Sequence, residues 1–146
     1  MPPLLRPYFA YGSNMCLDQM AFRCPGALTI GVARLCQFRF LINGRGYASI
    51  QPDPERTVFG LLWHISPTDE ATLDEYEDYP RGLYGKLEVT LEMMNDGRVE
   101  AAMTYIAANR TPGKPRSPYL EGILRAADRH LFPDAYRLEL ASWKGT

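Results

Sequence analysis

Polar and apolar residues alternate most cleanly between residues 86 and 105. Leu87, Val89, Leu91 and Met93 interleave with Lys86, Glu88, Thr90 and Glu92, a period of two that predicts a strand with one wet face. Asn95-Asp96-Gly97 supplies a hairpin turn, and Val99, Ala101, Met103 and Tyr105 continue the apolar face on the return strand. Upstream, a short aromatic strand over residues 7–11 stops abruptly at Gly12-Ser13-Asn14. Further β-like runs cover residues 27–42 (broken near Leu35), 47–51 and 57–65. Asn43-Gly44-Arg45-Gly46 and Pro52-Asp53-Pro54 are the punctuation between them.

Helical signals fall between and after these runs. Residues 16–23 form one helical segment, ended by Pro25-Gly26. Ser66-Pro67-Thr68-Asp69 combines a capping serine, a first-turn proline and an acceptor at the capping-box position, and predicts a helix to about Tyr76. Ser117-Pro118 repeats the cap-plus-proline signal before a helix through about Leu131, whose apolar stripe is Leu120, Ile123, Leu124 and Ala127. Pro133 separates it from a last segment over residues 135–142. The result is a β-rich α+β chain with an antiparallel-looking run of strands. Strict βαβ alternation is missing, which argues against a doubly wound sheet. No repeat or low-complexity stretch interrupts it, and residues 109–116 read as a surface loop rather than a linker. With 146 residues, one domain spanning 1–146 is expected.

Composition narrows the function classes. Sixteen basic against seventeen acidic residues give a net charge of −1, with Lys and Arg scattered, so no basic stripe points to nucleic acid. No apolar run is long enough for a transmembrane helix, and residues 1–7 lack the apolar core of a signal peptide. Cys16, Cys24 and Cys36 are odd in number and lack C-x-x-C spacing. They read as small buried or half-buried thiols in a reducing compartment, and a cytoplasmic location is expected. His64 and His130 have no partners at metal-ligand spacing, so no metal site is expected. Trp63 and Trp143 read as core anchors.

Two segments carry candidate chemistry. In Tyr8-Phe9-Ala10-Tyr11-Gly12-Ser13-Asn14-Met15 a strand runs into a tight turn and a helix start. Gly12 permits a positive φ or a close backbone approach to a ligand; Ser13 and Asn14 are both good caps. Such a turn aims backbone N–H groups, backed by a helix dipole, at a carboxylate, a phosphate or a developing oxyanion. It can equally end a strand and cap a helix with no ligand at all. Ser13 lacks a base in any triad pattern, and neither a phosphate-binding P-loop nor G-x-S-x-G occurs.

The second segment is Leu73-Asp74-Glu75-Tyr76-Glu77-Asp78-Tyr79-Pro80, with four carboxylates in five residues. Most charge runs are solvated surface. If Leu73 faces the core, however, Glu77 four residues on shares its face, while Asp74, Glu75 and Asp78 point elsewhere. A carboxyl at a core edge near Tyr76, Tyr79 and Tyr84 would have a raised pKa, suited to taking and returning a proton near neutral pH.

The Tyr8–Met15 segment resembles the opening signature of the γ-glutamylcyclotransferase-like family, which includes the plant AIG2-like proteins. Tyr47-Ala48-Ser49-Ile50 followed by Val58-Phe59-Gly60-Leu61-Leu62-Trp63 is similar to the family's paired strands. Leu73-Asp74-x-x-Glu77, with Tyr84 seven residues later, matches the segment carrying the family's catalytic Glu, and Ser117-Pro118-Tyr119 resembles the start of its late helix. The likeness runs in order along nearly the whole chain. It implies a small, mixed but mostly antiparallel β-barrel flanked by helices. One departure stands out: many members carry Gly after the catalytic Glu, and here Asp78 stands there, either raising the pKa of Glu77 or facing solvent.

The resemblance implies a cofactor-independent enzyme, a lyase or acyltransferase, that releases 5-oxoproline and an amino acid or amine from a γ-glutamyl substrate. Glu77 would be the general acid/base. Tyr11, Gly12, Ser13, Asn14 and Met15 would bind substrate, with Tyr84 and Tyr119 lining the pocket. A related acyltransferase or deacylase on another small γ-glutamyl amide, or a non-catalytic small-molecule binding domain, uses the same residues differently. The partner would be a small molecule, neither nucleic acid nor membrane. A homodimer is compatible with the sequence; the amine end of the pocket would be formed by the loops Asn43–Gly46 and Asn109–Arg116, and nothing in their composition names the amine.

Overall fold

The chain order is β1 (Arg6–Ala10), a 3₁₀ turn (Ser13–Met15), α1 (Leu17–Arg23), β2 (Leu28–Ile42), β3 (Ala48–Ile65), α2 (Pro67–Tyr76), a second 3₁₀ turn (Tyr79–Arg81), β4 (Tyr84–Met93), β5 (Val99–Ala107), α3 (Tyr119–Arg129), α4 (Asp134–Ala141) and a closing 3₁₀ turn (Ser142–Gly145). The computed structural model describes residues 4–145. The five strands close into a barrel in the order β1-β3-β2-β4-β5. Every pairing is antiparallel except that of β1 with β5, which meet in parallel at Tyr8 and Met103. This is the mixed, mostly antiparallel barrel flanked by helices that the resemblance implied.

Most elements follow from their local signals. The Ser66 Oγ accepts from the Asp69 amide at 3.1 Å, and the Asp69 carboxylate accepts from the Ser66 amide at 3.0 Å, so α2 starts with a complete capping box. Leu120, Ile123 and Ala127 of α3 are buried, as the stripe requires. Trp63 is buried and Trp143 packs against the core from a half-buried position. Cys24 is buried and Cys16 half-buried, but Cys36 is exposed, contrary to expectation. No helix among the described residues is long and apolar enough to cross a membrane.

Four expectations are corrected. β3 does not stop at Pro52-Asp53-Pro54 but runs through it. The pairing jumps from Phe38↔Pro52 to Cys36↔Thr57, so the prolines lie at an interruption of the ladder, where a missing N–H costs nothing. The irregularity placed near Leu35 sits at Gln37, whose φ is 65°. In β5, Val99 and Ala101 are exposed while Ala102 and Thr104 are buried beside Met103 and Tyr105. The strand passes from an open end into the barrel closure, where both faces are covered. Ser117 does not cap α3: Pro118 holds the N-cap position after a cis Ser117–Pro118 peptide, and the helix ends at Arg129, before the exposed Leu131.

Candidate functional site

Segments far apart in sequence meet around a cavity of about 330 Å³. The turn after β1, helix α1, the β2–β3 turn, the end of α2, the middle of β5 and the start of α3 all reach it. Of the residues singled out from sequence, Tyr11, Gly12, Ser13, Asn14, Glu77, Tyr84 and Tyr119 line it.

Glu77 is the C-cap of α2, its amide donating to the Leu73 carbonyl at 2.9 Å. Leu73 is fully buried, so the helical repeat turns Glu77 inward to the cavity wall. Burial pushes its carboxyl up; Arg23 pulls it down and Asp78 pushes it up again, leaving the pKa at about 7. No protein hydrogen bond among the described residues contributes to that balance. The carboxyl is therefore desolvated but unengaged, which fits it for proton transfer near neutrality. Asp78 was expected to point away from Glu77's face; it lines the same cavity, held in a left-handed conformation at φ 52° and ion-paired with Arg81. Asp74 turns to another task, accepting the Tyr105 hydroxyl at 2.7 Å.

The turn after β1 differs from the expected strand–helix junction. Gly12 has φ −117°, so no left-handed backbone demands glycine there. Close approach does: a Cβ on Gly12 would lie 3.2 Å from the Tyr119 hydroxyl and 3.4 Å from Ala48 Cβ. The Met15 amide donates to Gly12 O and the Cys16 amide to Ser13 O, both at 3.1 Å. The Ser13 and Asn14 amides come too early in the turn to have a partner within it. A three-residue 3₁₀ turn backs the loop, and α1 begins separately with Cys16 at its N-cap, so no helix dipole stands directly behind Gly12–Asn14. Neither Ser13 nor Asn14 caps a helix through its side chain. Met15 does not reach the cavity: it is fully buried in the core, and its carbonyl meets His130 Nε2 at 3.0 Å.

Two tyrosines bracket one residue, Ala48. The Tyr84 hydroxyl donates to Ala48 O at 2.7 Å, and the Ala48 amide donates to the Tyr119 hydroxyl at 3.1 Å. The Tyr119 proton remains available to a ligand. The Tyr11 hydroxyl is committed, donating to Tyr105 O at 2.6 Å.

Residues 57–140, more than half of the chain, match the model of the AIG2-like family. The chain belongs to the AIG2-like family. It is 28% identical over 143 residues to γ-glutamylcyclotransferase of Mus musculus and likewise to that of Homo sapiens, covering 91% of this chain and 76% of each relative. A solved γ-glutamyl cyclotransferase superposes with a TM-score of 0.86 at 27% identity, covering 94% of this chain and 86% of its own. The resemblance read from the opening and Glu77 segments is thereby met.

In this AIG2-like chain the cavity also holds residues that sequence reading passed over. Arg23, at the end of α1, donates to Asn14 Oδ1 at 2.8 Å and stacks on the Tyr76 ring at 3.9 Å. With its amide oxygen facing these donors, Gln19 accepts from Ser13 Oγ at 3.1 Å and from Arg23 at 2.9 and 2.7 Å. The four-residue spacing of Gln19 and Arg23 directly after the Gly-Ser-Asn turn was the available signal. Tyr8 accepts from Asn14 Nδ2 at 2.9 Å, which fixes the amide between Tyr8 and Arg23. Arg45 and Tyr47 enter from the β2–β3 turn.

Proposed function

We propose that this chain is a γ-glutamyl cyclotransferase-type enzyme that converts a γ-glutamyl amide into 5-oxoproline and a free amine. The observation that carries the reading is an unengaged Glu77 carboxyl, with a pKa of about 7, in the same cavity as the Gly12–Asn14 turn. The kinship with γ-glutamylcyclotransferases over most of the chain supports it.

The substrate's α-carboxylate sits against the Ser13 and Asn14 amides, on the Arg23 side of the cavity. Its α-ammonium faces Glu77, which takes one proton. The freed amine attacks the γ-carbonyl carbon, and a new C–N bond closes a five-membered ring through a tetrahedral intermediate. Glu77 then returns the proton to the departing nitrogen as the original C–N bond breaks, and the second proton of the ring nitrogen passes to the released amine, which leaves as an ammonium. One group acts as base and then as acid, so its pKa belongs near neutrality. The attack is intramolecular, so positioning supplies much of the acceleration. The steps need neither a metal nor an organic cofactor. Tyr119, its hydroxyl oxygen occupied by the Ala48 amide, donates a hydrogen bond to the substrate, and Tyr84 holds Ala48 in place through its carbonyl.

The test is 5-oxoproline release from a panel of γ-glutamyl dipeptides and γ-glutamyl amines. Wild type is expected to turn over at least one of them, with kcat/KM rising with pH to a plateau through an apparent pKa of about 7. Glu77→Gln is expected to lose about 100-fold or more in kcat. Release of glutamate instead of 5-oxoproline would indicate a deacylase, and no product from the panel would overturn the reading.

A further inference from the structure

Helix α1 carries a polar stripe beside its core face. Met20 and Cys24, four residues apart, are buried, and Cys24 Sγ donates to Asp69 O of α2 at 3.7 Å. Gln19 and Arg23 each stand one position earlier, share the neighbouring face, and both line the cavity. The buried face holds the helix in place, and the polar face makes contacts in two directions.

Toward the turn after β1, the pair grips both polar side chains. Ser13 Oγ donates to the Gln19 amide oxygen at 3.1 Å, and Arg23 donates to the same atom at 2.7 Å. Arg23 also donates to Asn14 Oδ1 at 2.8 Å, and Asn14 Nδ2 donates to the buried Tyr8 hydroxyl at 2.9 Å. Rotating the turn breaks this chain of bonds. Toward α2, the guanidinium stacks 3.9 Å from the centre of the Tyr76 ring. Tyr76 is the last residue of α2, directly before Glu77. One planar group thus touches both the turn that offers backbone amides and the helix that ends in the base. Both terminal nitrogens of Arg23 donate to Asn14 or Gln19, so the side chain is placed to hold protein groups together. The fork and the flat face are features that an ammonium lacks.

We propose that Arg23 is a positioning residue: it clamps the Gly12–Asn14 turn to the end of α2 and so fixes the Glu77 carboxyl against the substrate's amine. The inference rests on the cyclotransferase reading of the same cavity, and its consequence for the reaction is specific. The Ser13 and Asn14 amides belong to the backbone and still bind a carboxylate when the clamp is open. What is lost is the alignment of the amine with Glu77 and with the γ-carbonyl, on which an intramolecular attack depends.

The experiment cuts the clamp at each end. Arg23→Lys keeps the charge but gives up the fork and the stacking face. Tyr76→Leu removes a half-exposed ring outside the core and leaves Arg23 in place. On whichever γ-glutamyl substrate wild type turns over fastest, each is expected to lower kcat about tenfold or more with KM changed less than about threefold. The double variant is expected to lose little more than Arg23→Lys alone, because the two residues act as one unit. A raised KM with kcat intact would make Arg23 a direct anion contact and overturn the proposal. So would additive losses, or a kcat within about twofold of wild type in either variant. Hydrogen exchange reads the clamp without catalysis. The Met15 and Cys16 amides, bonded within the turn, are expected to exchange about threefold faster or more in Tyr76→Leu, while the β4–β5 ladder keeps its rates. Unchanged exchange in the turn overturns the clamp even if kcat falls. If wild type turns over no γ-glutamyl substrate, the cyclotransferase reading fails, and the exchange measurement decides the clamp alone.

Discussion

Burial sets the working range of Glu77 and also makes it a liability for the fold. The carboxyl ordinarily ionises near 4.5 and here does so at about 7, chiefly because burial disfavours the charged form. Between those values the native state keeps a proton that the unfolded chain has lost, so stability falls as pH rises. The cost is about 3 kcal/mol once Glu77 is ionised. Glu77→Gln is therefore expected to be more stable than wild type at pH 8, by an amount that shrinks toward zero below pH ~5. Urea denaturation of both proteins across that range measures it, and a pH-independent difference would contradict the burial argument. This gain in stability on loss of a polar group from a site is the usual mark of a residue kept for chemistry. Glu77 was legible in the sequence because one buried leucine a helical turn earlier fixes its direction. For Arg45 only its turn could be placed at the pocket, because its own exposure to the cavity depends on Asn43 and on a loop more than sixty residues downstream. Met15 stays out of the cavity for a related reason: membership of a contiguous motif says nothing of which side of a 3₁₀ turn a residue takes.

At the scale of elements, the cavity depends on how closely β1 crosses β3. Ala10 pairs with Leu61, and a Cβ on the adjacent Gly60 would lie 2.2 Å from Ala10 O and 2.8 Å from the Phe9 ring. Neither neighbour can give: one is backbone in a ladder, the other a fully buried ring. Gly60→Ala is expected to cost about 3 kcal/mol or more, at the upper end of overpacking effects. The readout is the urea midpoint, and a shift equivalent to less than about 1 kcal/mol would show that β1 can move aside. Because β1 leads straight into the Gly12–Asn14 turn, displacing it would disturb the site as well. The strands themselves were unequally legible. β4 keeps one wet face and alternates, so its period of two was plain. β5 is covered on both faces at the closure, and β3 carries its prolines through a break in pairing; in both, tertiary placement overrides the local pattern.

Across the whole molecule, one charged network ties the helix carrying Glu77 to the barrel. Glu70 of α2 accepts from Arg6 of β1 at 2.7 Å and from Lys86 of β4 at 2.5 Å. Lys86 also reaches Asp74 of α2 at 3.1 Å, and Asp74 accepts the Tyr105 hydroxyl from β5 at 2.7 Å. Burial alone would push Glu70 up, yet the hydrogen bonds from Lys86 and Arg6 hold it below the usual carboxylate range. Its contribution is thus present above the ordinary carboxylate pKa and is lost as the solution is acidified. Surface pairs contribute little on average, but these side chains are only 15–20% exposed at Glu70, Lys86 and Asp74, and Lys86 is their common donor. Lys86→Met removes the cation between two part-buried carboxylates one turn apart on the same face of α2, leaving Glu70 with Arg6 and Asp74 with the Tyr105 hydroxyl. It is expected to cost about 1–2 kcal/mol, and to lower kcat several-fold as α2 loosens and Glu77 leaves its position. Adding Glu70→Gln removes the remaining repulsion between the two carboxylates and is expected to recover part of the stability in the double variant, measured by urea denaturation at pH 7. If Lys86→Met lowers kcat with stability intact, Lys86 acts on the cavity directly. If stability falls and kcat does not, α2 is not what positions Glu77. A joint loss, partly reversed by Glu70→Gln, is the outcome that a helix braced from three strands requires.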